Sequence, residues 1–172
     1  GLRFTSAGTT GNVVQGNYIG TNAAGTAAIA NGQNNVSGFT AGIYIGLSAN
    51  TQTIGGTAAG AGNVISGNTG NGLEIDGTTG NLVRGNYIGT NAAGTAALGN
   101  AGSGVYLENG ASANNIGDTL AGAGNVISGN TGYGVGIDGS NNNLVLGNII
   151  GLDKNGNLAI GNGVEGVSIE NG

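Results

Sequence analysis

Four carboxylates stand at matching places along this chain: Asp76, Glu108, Asp138 and Glu170. Each follows the last apolar residue of the same short unit: glycine, apolar, any residue, apolar. Stacked at strand spacing, about 5 Å, groups of one sign repel, so the column must take a cation or hold raised pKa values. Calcium suits such oxygens, but only weakly, because side chains on a flat strand supply few of the roughly six to eight ligands it wants. Glu74 lies beside Asp76, and Tyr44 and Tyr106 occupy the middle of equivalent units. Aromatic rings next to carboxylates make Tyr44, Glu74 and Tyr106 candidates for sugar binding. The same column also reads as a solvated acidic edge that keeps a glycine-rich chain soluble and discourages lateral strand pairing.

Other chemistry is scarce. The chain has no histidine and no cysteine, which removes the commonest general base, disulfides and the usual zinc ligands. Arg84 and Lys154 belong to other corners than the acidic column, and Arg3 lies several coils away. With no basic partner for the carboxylates, no catalytic residue is assigned and no cofactor beyond weak calcium is expected. A net charge of -5 with three Lys and Arg argues against nucleic acid. No apolar run approaches the length of a membrane span. Asp153-Lys154-Asn155-Gly156-Asn157 begins like a calcium loop but lacks the later glycine and glutamate, and is read as a turn.

The elements that position these residues come from an internal repeat. Gly62-Asn63-Val64-Ile65-Ser66-Gly67-Asn68 returns 62 residues later as Gly124-Asn125-Val126-Ile127-Ser128-Gly129-Asn130. Within that period the glycine-apolar-any-apolar unit starts at Gly1, Gly42, Gly72, Gly104, Gly134 and Gly166, so the period divides into coils of 32 and 30 residues. The first coil is longer, owing to extra residues after Phe4 and within the stretch from Ile29 to Ala41. Alternating apolar residues predict short strands, and the Asn and Gly clusters predict turns. A helical repeat is refused, since glycine at nearly every fourth position would cost roughly 1 kcal/mol each.

Each coil is therefore expected to carry three short parallel strands, and the fold class is all-β, a right-handed single-stranded parallel β-helix of coils of about 30 to 32 residues. The second strands centre on Val14, Ile54, Val83, Ile116 and Val145, the third on Ile19, Ile65, Ile88, Ile127 and Ile150. Leu73, Ile75, Val83, Ile88, Val105, Leu107, Ile116, Ile127, Val135 and Ile137 should point into one core. Asn17, Asn68, Asn86, Asn130 and Asn148 are read as equivalent corners forming an amide ladder, helped by the tolerance of Asn for left-handed turns. The outward column Tyr18, Val64, Tyr87, Val126 and Ile149 needs a cover, for which Ile29, Leu98 and Ile160 are the candidates. Long loops should alternate between two edges of the rod. The longest, residues 21–41 with Phe39, either protrudes or shields the first coil.

These units resemble the parallel β-helix repeats of the pectate-lyase-like superfamily. The stretch Gly89-Thr90-Asn91-Ala92-Ala93-Gly94-Thr95-Ala96-Ala97-Leu98-Gly99-Asn100 resembles loops in very large bacterial surface proteins. The resemblance covers nearly the whole chain, and it implies fold more than function. In enzymes of that superfamily, acidic residues on the same sheet bind calcium or do acid/base work, with a basic partner that is missing here. Residues 1–172 are expected to form one β-helix domain, a segment of a longer repeat protein. The expected function is a non-enzymatic extracellular or cell-surface rod of adhesin type that associates end to end with copies of itself. The alternative is a polysaccharide-binding or polysaccharide-degrading module using the acidic column.

Overall fold

A strand of two to four residues is too short to be stable alone, so everything here rests on what stacks above and below it. The computed structural model describes residues 1–32 and 39–171. Among them are sixteen strands and no helix, arranged in three sheets that are parallel throughout. The first sheet runs β1 (Leu2–Phe4), β4 (Ile43–Ile45), β7 (Leu73–Asp76), β10 (Val105–Glu108), β13 (Val135–Asp138) and β16 (Val167–Glu170). The second comprises β2 (Val13–Val14), β5 (Thr53–Gly55), β8 (Leu82–Arg84), β11 (Asn115–Gly117) and β14 (Leu144–Leu146). The third comprises β3 (Tyr18–Ile19), β6 (Val64–Ile65), β9 (Tyr87–Ile88), β12 (Val126–Ile127) and β15 (Ile149–Ile150). Every third strand along the chain thus returns to the same sheet one coil on, which makes the chain a parallel β-helix.

Register follows the repeat residue for residue. Leu2 pairs with Ile43, Ile43 with Leu73, Leu73 with Val105, Val105 with Val135, and Val135 with Val167. Because side chains alternate, the inner positions of all three sheets meet in one hydrophobic cluster. Of the ten expected core residues, nine are completely buried and Ile137 is 5% exposed. A solenoid hides only the inner face of a parallel sheet, so alternation survives where ordinary parallel sheets show continuous apolar runs.

The corners hold three asparagine ladders. One runs Asn17, Asn63, Asn86, Asn125, Asn148, just before the third strands. A second runs Asn31, Asn68, Asn100, Asn130, Asn162, after them. The third leads from Asn12 through Gln52 to Asn81, Asn114 and Asn143, before the second strands. The single ladder expected from the sequence therefore separates into two: Asn68 and Asn130 belong with Asn100, while the true partners of Asn17, Asn86 and Asn148 are Asn63 and Asn125. The Gly-Asn-apolar-Ile and Ser-Gly-Asn contexts look alike but flank the strand on opposite sides.

An interior rung such as Asn86 is fully bonded. Asn86 donates one N–H of its amide to Asn125 Oδ1 and the other to the Ile54 carbonyl, each at 2.9 Å, while its own Oδ1 accepts from the backbone N–H and the amide of Asn63. That exhausts two donors and two lone pairs. None of the ladder asparagines has a positive φ, so left-handed tolerance is not why they are there. Glycine does that work beside them: Gly89 has φ +88, and a Cβ on it would stand 2.3 Å from Asn130 Oδ1.

Two sets of loops leave the rod at different corners. After the third strand of the longer coils come small hairpins, closed by the bridges Thr21 to Ala28, Thr90 to Ala97 and Leu152 to Ala159. In each, one side-chain oxygen accepts from two backbone N–H groups: Asn22 from Thr26 and Ala27, Asn91 from Thr95 and Ala96, Asp153 from Asn157 and Leu158. Asp153 thus heads a hairpin turn. The hairpins bond to one another two coils apart, Ala92 N–H to the Gly25 carbonyl and Lys154 N–H to that of Gly94. In the shorter coils the loop lies between the second and third strands instead, and the Ala61 and Ala123 carbonyls accept from Gly16 and Gly85 N–H.

The outward column of the third sheet is partly covered, but not as expected. Ile29 is exposed, Leu98 half-buried and Ile160 buried. What closes on Tyr87 is the hairpin glycine Gly94, whose missing Cβ would come within 2.8 Å of the ring. Of the loop 21–41, residues 33–38 lie outside the described residues. Phe39 returns to the outer face of the first sheet, its ring 4.6 Å from that of Tyr44 and under the Arg3 guanidinium at 3.8 Å.

Replacing Asn125 by Ala removes two donors and orphans the amide of Asn86 and the Val83 carbonyl in a dry corner. A loss of about 3 kcal/mol is expected in urea unfolding, against less than about 1 kcal/mol for Asn17→Ala at the exposed end of the same ladder.

Candidate functional site

The outer face of the first sheet is a grid built by the register. Glu108 lies beside Asp76, and Glu170 beside Asp138, in paired strands. One step back along the strands, Arg3, Tyr44, Glu74, Tyr106, Gly136 and Ser168 form a neighbouring outward column. All seven residues expected to carry sugar or calcium binding therefore share this face: Tyr44, Glu74, Tyr106, Asp76, Glu108, Asp138 and Glu170. Five of the chain's eight carboxylates are here.

Their repulsion is relieved in a way the spacing alone did not suggest. The Tyr44 hydroxyl donates to Asp76 Oδ2, and Asn109 donates to Asp76 Oδ1 at 2.9 Å. Two coils on, Tyr106 donates to Asp138 Oδ2 at 3.3 Å and Asn171 to Asp138 Oδ1 at 2.8 Å. Each aspartate is thus held between a tyrosine from the coil before and an asparagine from the coil after. Burial, the hydrogen bond to Asp76 and the charges of Asp76 and Glu74 push the Tyr44 hydroxyl well above its ordinary range. Burial and the charges of Asp138 and Glu108 raise Tyr106 likewise. Both phenols stay protonated and act as donors.

Between these two triads sits an acid pair without a tyrosine. Glu74 takes the place that tyrosine holds in the coils on either side, and Glu108 faces it diagonally. Burial raises the pKa of Glu108, and the charges of Glu74 and Asp76, a shared hydrogen bond with Glu74 and the charge of Asp138 add to it. Asn71 donates to Glu74 Oε2 at 3.0 Å.

Sequence reasoning missed Asn109, Asn171 and Tyr133. The signal was present for the first two, since Asn171 follows Glu170 as Asn109 follows Glu108. Tyr133 precedes the strand unit, at an outward position reached only by crossing Gly136; its hydroxyl donates to Glu170 Oε1 at 3.3 Å. Arg3 reaches only the Tyr44 end of the face, with its guanidinium 5.9 Å from the ring centre. Arg84 is spent on Asp118, at 3.0 Å on another sheet. Among the described residues no group of three or more carboxylates is gathered closely enough to hold a metal ion, and no helix is long and apolar enough to cross a membrane.

Comparison with family models, with curated proteins and with solved structures finds no match. The face offers hydroxyl and carboxylate groups at two-coil intervals, about 9.6 Å, and among the described residues no ion pair to those acids.

A raised carboxyl pKa in the fold means that the folded chain holds its proton more tightly than the unfolded one. Glu108 therefore contributes stability below its ordinary value of 4.5 and loses it as pH rises through the higher folded value. Glu108→Gln should melt higher than the parent at about pH 7, with the two converging at about pH 4. Melting curves that differ by the same amount at both values would show that Glu108 titrates normally.

Proposed function

We propose that this chain is a non-enzymatic structural rod of adhesin type, extracellular or at the cell surface, in which the parallel β-helix has the right-handed sense of nearly all parallel crossovers. Its coil edges pair with those of further copies, end to end. The observation that carries this reading is the polarity of the ladders. Except at Gln52, whose amide bonds to the Thr9 and Asn50 carbonyls, the amide of each rung donates toward the following coil, so among the described residues the edge beside β1, β2 and β3 presents the side-chain oxygens of Asn12 and Asn17 without donors. The opposite edge presents Asn143, Asn148 and Asn162, each with one amide N–H used on a carbonyl behind it and one left over. Donors at one end and acceptors at the other favour head-to-tail contact and disfavour head-to-head.

Apolar surface points the same way: Leu2 is 36% exposed at one edge, and Val167 and Ile169 are 42% and 69% exposed at the other. A head-to-tail contact that does not close on itself yields a filament. The resemblance of the repeat to the pectate-lyase-like superfamily, and of its loops to those of large bacterial surface proteins, supports an external structural role. So does the absence of histidine and cysteine.

A second reading is favoured by the spacing of the Tyr44–Asp76 and Tyr106–Asp138 pairs: a polysaccharide laid along the first sheet, touching Tyr44, Glu74 and Tyr106. Weak calcium binding by Asp76, Glu108, Asp138 and Glu170 belongs with this reading, in the roughly 10⁻⁴ to 10⁻³ M range of extracellular sites. Incubation with polyuronates and calcium should release no unsaturated product under the rod reading, and its appearance would favour a lyase. If calcium raises the melting temperature equally in the parent and in a variant with Asp76, Glu108 and Asp138 changed to Asn, the column is not its site.

For the rod itself, sedimentation over about a hundredfold range of concentration should show open-ended growth, suppressed by Arg3→Pro in the edge strand. A monomer at every concentration would contradict self-association.

A further inference from the structure

The internal repeat supplies its own control for finding a specialised site. Residues 55–70 and 117–132 are identical except at two positions, where Gly56 and Ala58 become Asp118 and Leu120. The hairpins 20–28 and 89–97 are identical over nine residues, but the third, 151–159, keeps only Gly151, Gly156 and Ala159 of that sequence. Among its changes, Ala92 and Ala93 become Lys154 and Asn155. Asp118, Leu120, Lys154 and Asn155 all line one groove of about 440 Å³ on the outer face of the third sheet. The substitutions at 118, 120, 154 and 155 thus give this cavity a lining that the equivalent segments 55–58 and 89–97 do not offer.

The groove runs between the loop after β11 and the hairpin after β15. Tyr87, Val126 and Ile149 form its floor. Leu120, 61% exposed, makes one apolar wall. Lys154 stands on the other, and among the described residues it makes no ion pair. The adjacent carboxylate is committed: Asp153 accepts from the Asn157 and Leu158 N–H groups and from the Asn155 amide. Those bonds, the one from Leu158 first, also lower the pKa of Asp153. Asp118 is likewise engaged, with Arg84. The cavity thus combines an apolar floor and wall with one uncommitted cation, at a volume within the roughly 300–1,000 Å³ of small-molecule sites.

We propose that this groove binds a small organic anion, an aliphatic or aromatic body carrying one carboxylate. The body lies against Leu120, Val126 and Ile149, and the carboxylate meets the Lys154 ammonium. A neutral sugar fits less well, because the amide of Asn155 and the carboxylate of Asp118, which would take its hydroxyls, are already bonded within the protein. The site lies on a different sheet from the tyrosine and carboxylate face and does not depend on the rod reading.

The test is an amide-shift NMR titration of the full chain with hexanoate and 3-phenylpropionate, each beside its alcohol, hexanol and 3-phenylpropanol. Leu120→Ala and Lys154→Ala serve as variants, since each restores the residue that the sister coil carries at Ala58 or Ala92 and should leave the urea midpoint unchanged. Saturable shifts confined to residues 118–126 and 147–156 are expected for the carboxylates. Binding should weaken at least about tenfold for the alcohols and for carboxylates on Lys154→Ala. Leu120→Ala should weaken acid and alcohol alike. The proposal is overturned if no probe saturates by about 10 mM, if acid and alcohol bind equally, or if Lys154→Ala binds as the parent does.

Discussion

A primary amide taken out of water must find partners for two donors and one oxygen, or it costs the fold more than an apolar residue would. In the ladders the requirement is met by side-chain amides in the neighbouring coils together with backbone groups of those coils. Asn86 cannot be satisfied unless Asn63 lies directly before it and Asn125 directly after. The ladders therefore set coil spacing and register together, and the strands of two to four residues inherit both. Aliphatic stacking inside the rod supplies most of the stabilisation but little direction, because Ile on Ile tolerates a slip that Asn on Asn does not. This division of labour explains a core that is almost wholly aliphatic, with Phe4 packed against it at one end, beside corners dominated by asparagine.

The outer surfaces follow from that lattice. Once register is exact to the residue, any side chain at an outward position has a neighbour at coil spacing, and the carboxylates at equivalent positions are brought together whether or not that is favourable. The first sheet resolves the conflict by interleaving Tyr44 and Tyr106 with Asp76 and Asp138, and leaves Glu74 against Glu108 without a tyrosine between them. Loops are less tightly bound to the lattice, and the hairpin 151–159 departs from its two counterparts at six of nine positions. The hairpins keep their shape through one side-chain oxygen, Asn22, Asn91 or Asp153, and are free to change the rest.

Much of this was legible in the sequence because period and structure coincide. The glycine-apolar-any-apolar units fell on the first sheet, and Val83, Ile116 and Ile127 fell in the core as their spacing required. The ladders were legible as a kind but not in number: Asn68 and Asn86 lie in similar surroundings of Gly and apolar residues, and only the strand between the corners distinguishes them. Hydrogen bonds that cross diagonally between coils, such as Asn109 to Asp76, were out of reach because they depend on side-chain direction as well as register. Phe39 was placed in a loop correctly, yet its return onto Arg3 and Tyr44 is a tertiary contact that no periodicity encodes.

If the amide ladders hold the coils in register, their side-chain N–H groups must open only with the rod itself. Hydrogen exchange of the asparagine side-chain amides, resolved by NMR, tests this directly. The interior rungs Asn86, Asn114 and Asn125 should exchange at least about a hundredfold more slowly than Asn17 or Asn155 and at rates that track global unfolding in added urea. Interior amides that exchange as fast as the exposed ones, while backbone amides of β7 and β10 stay protected, would show that the aliphatic core sets the register without them.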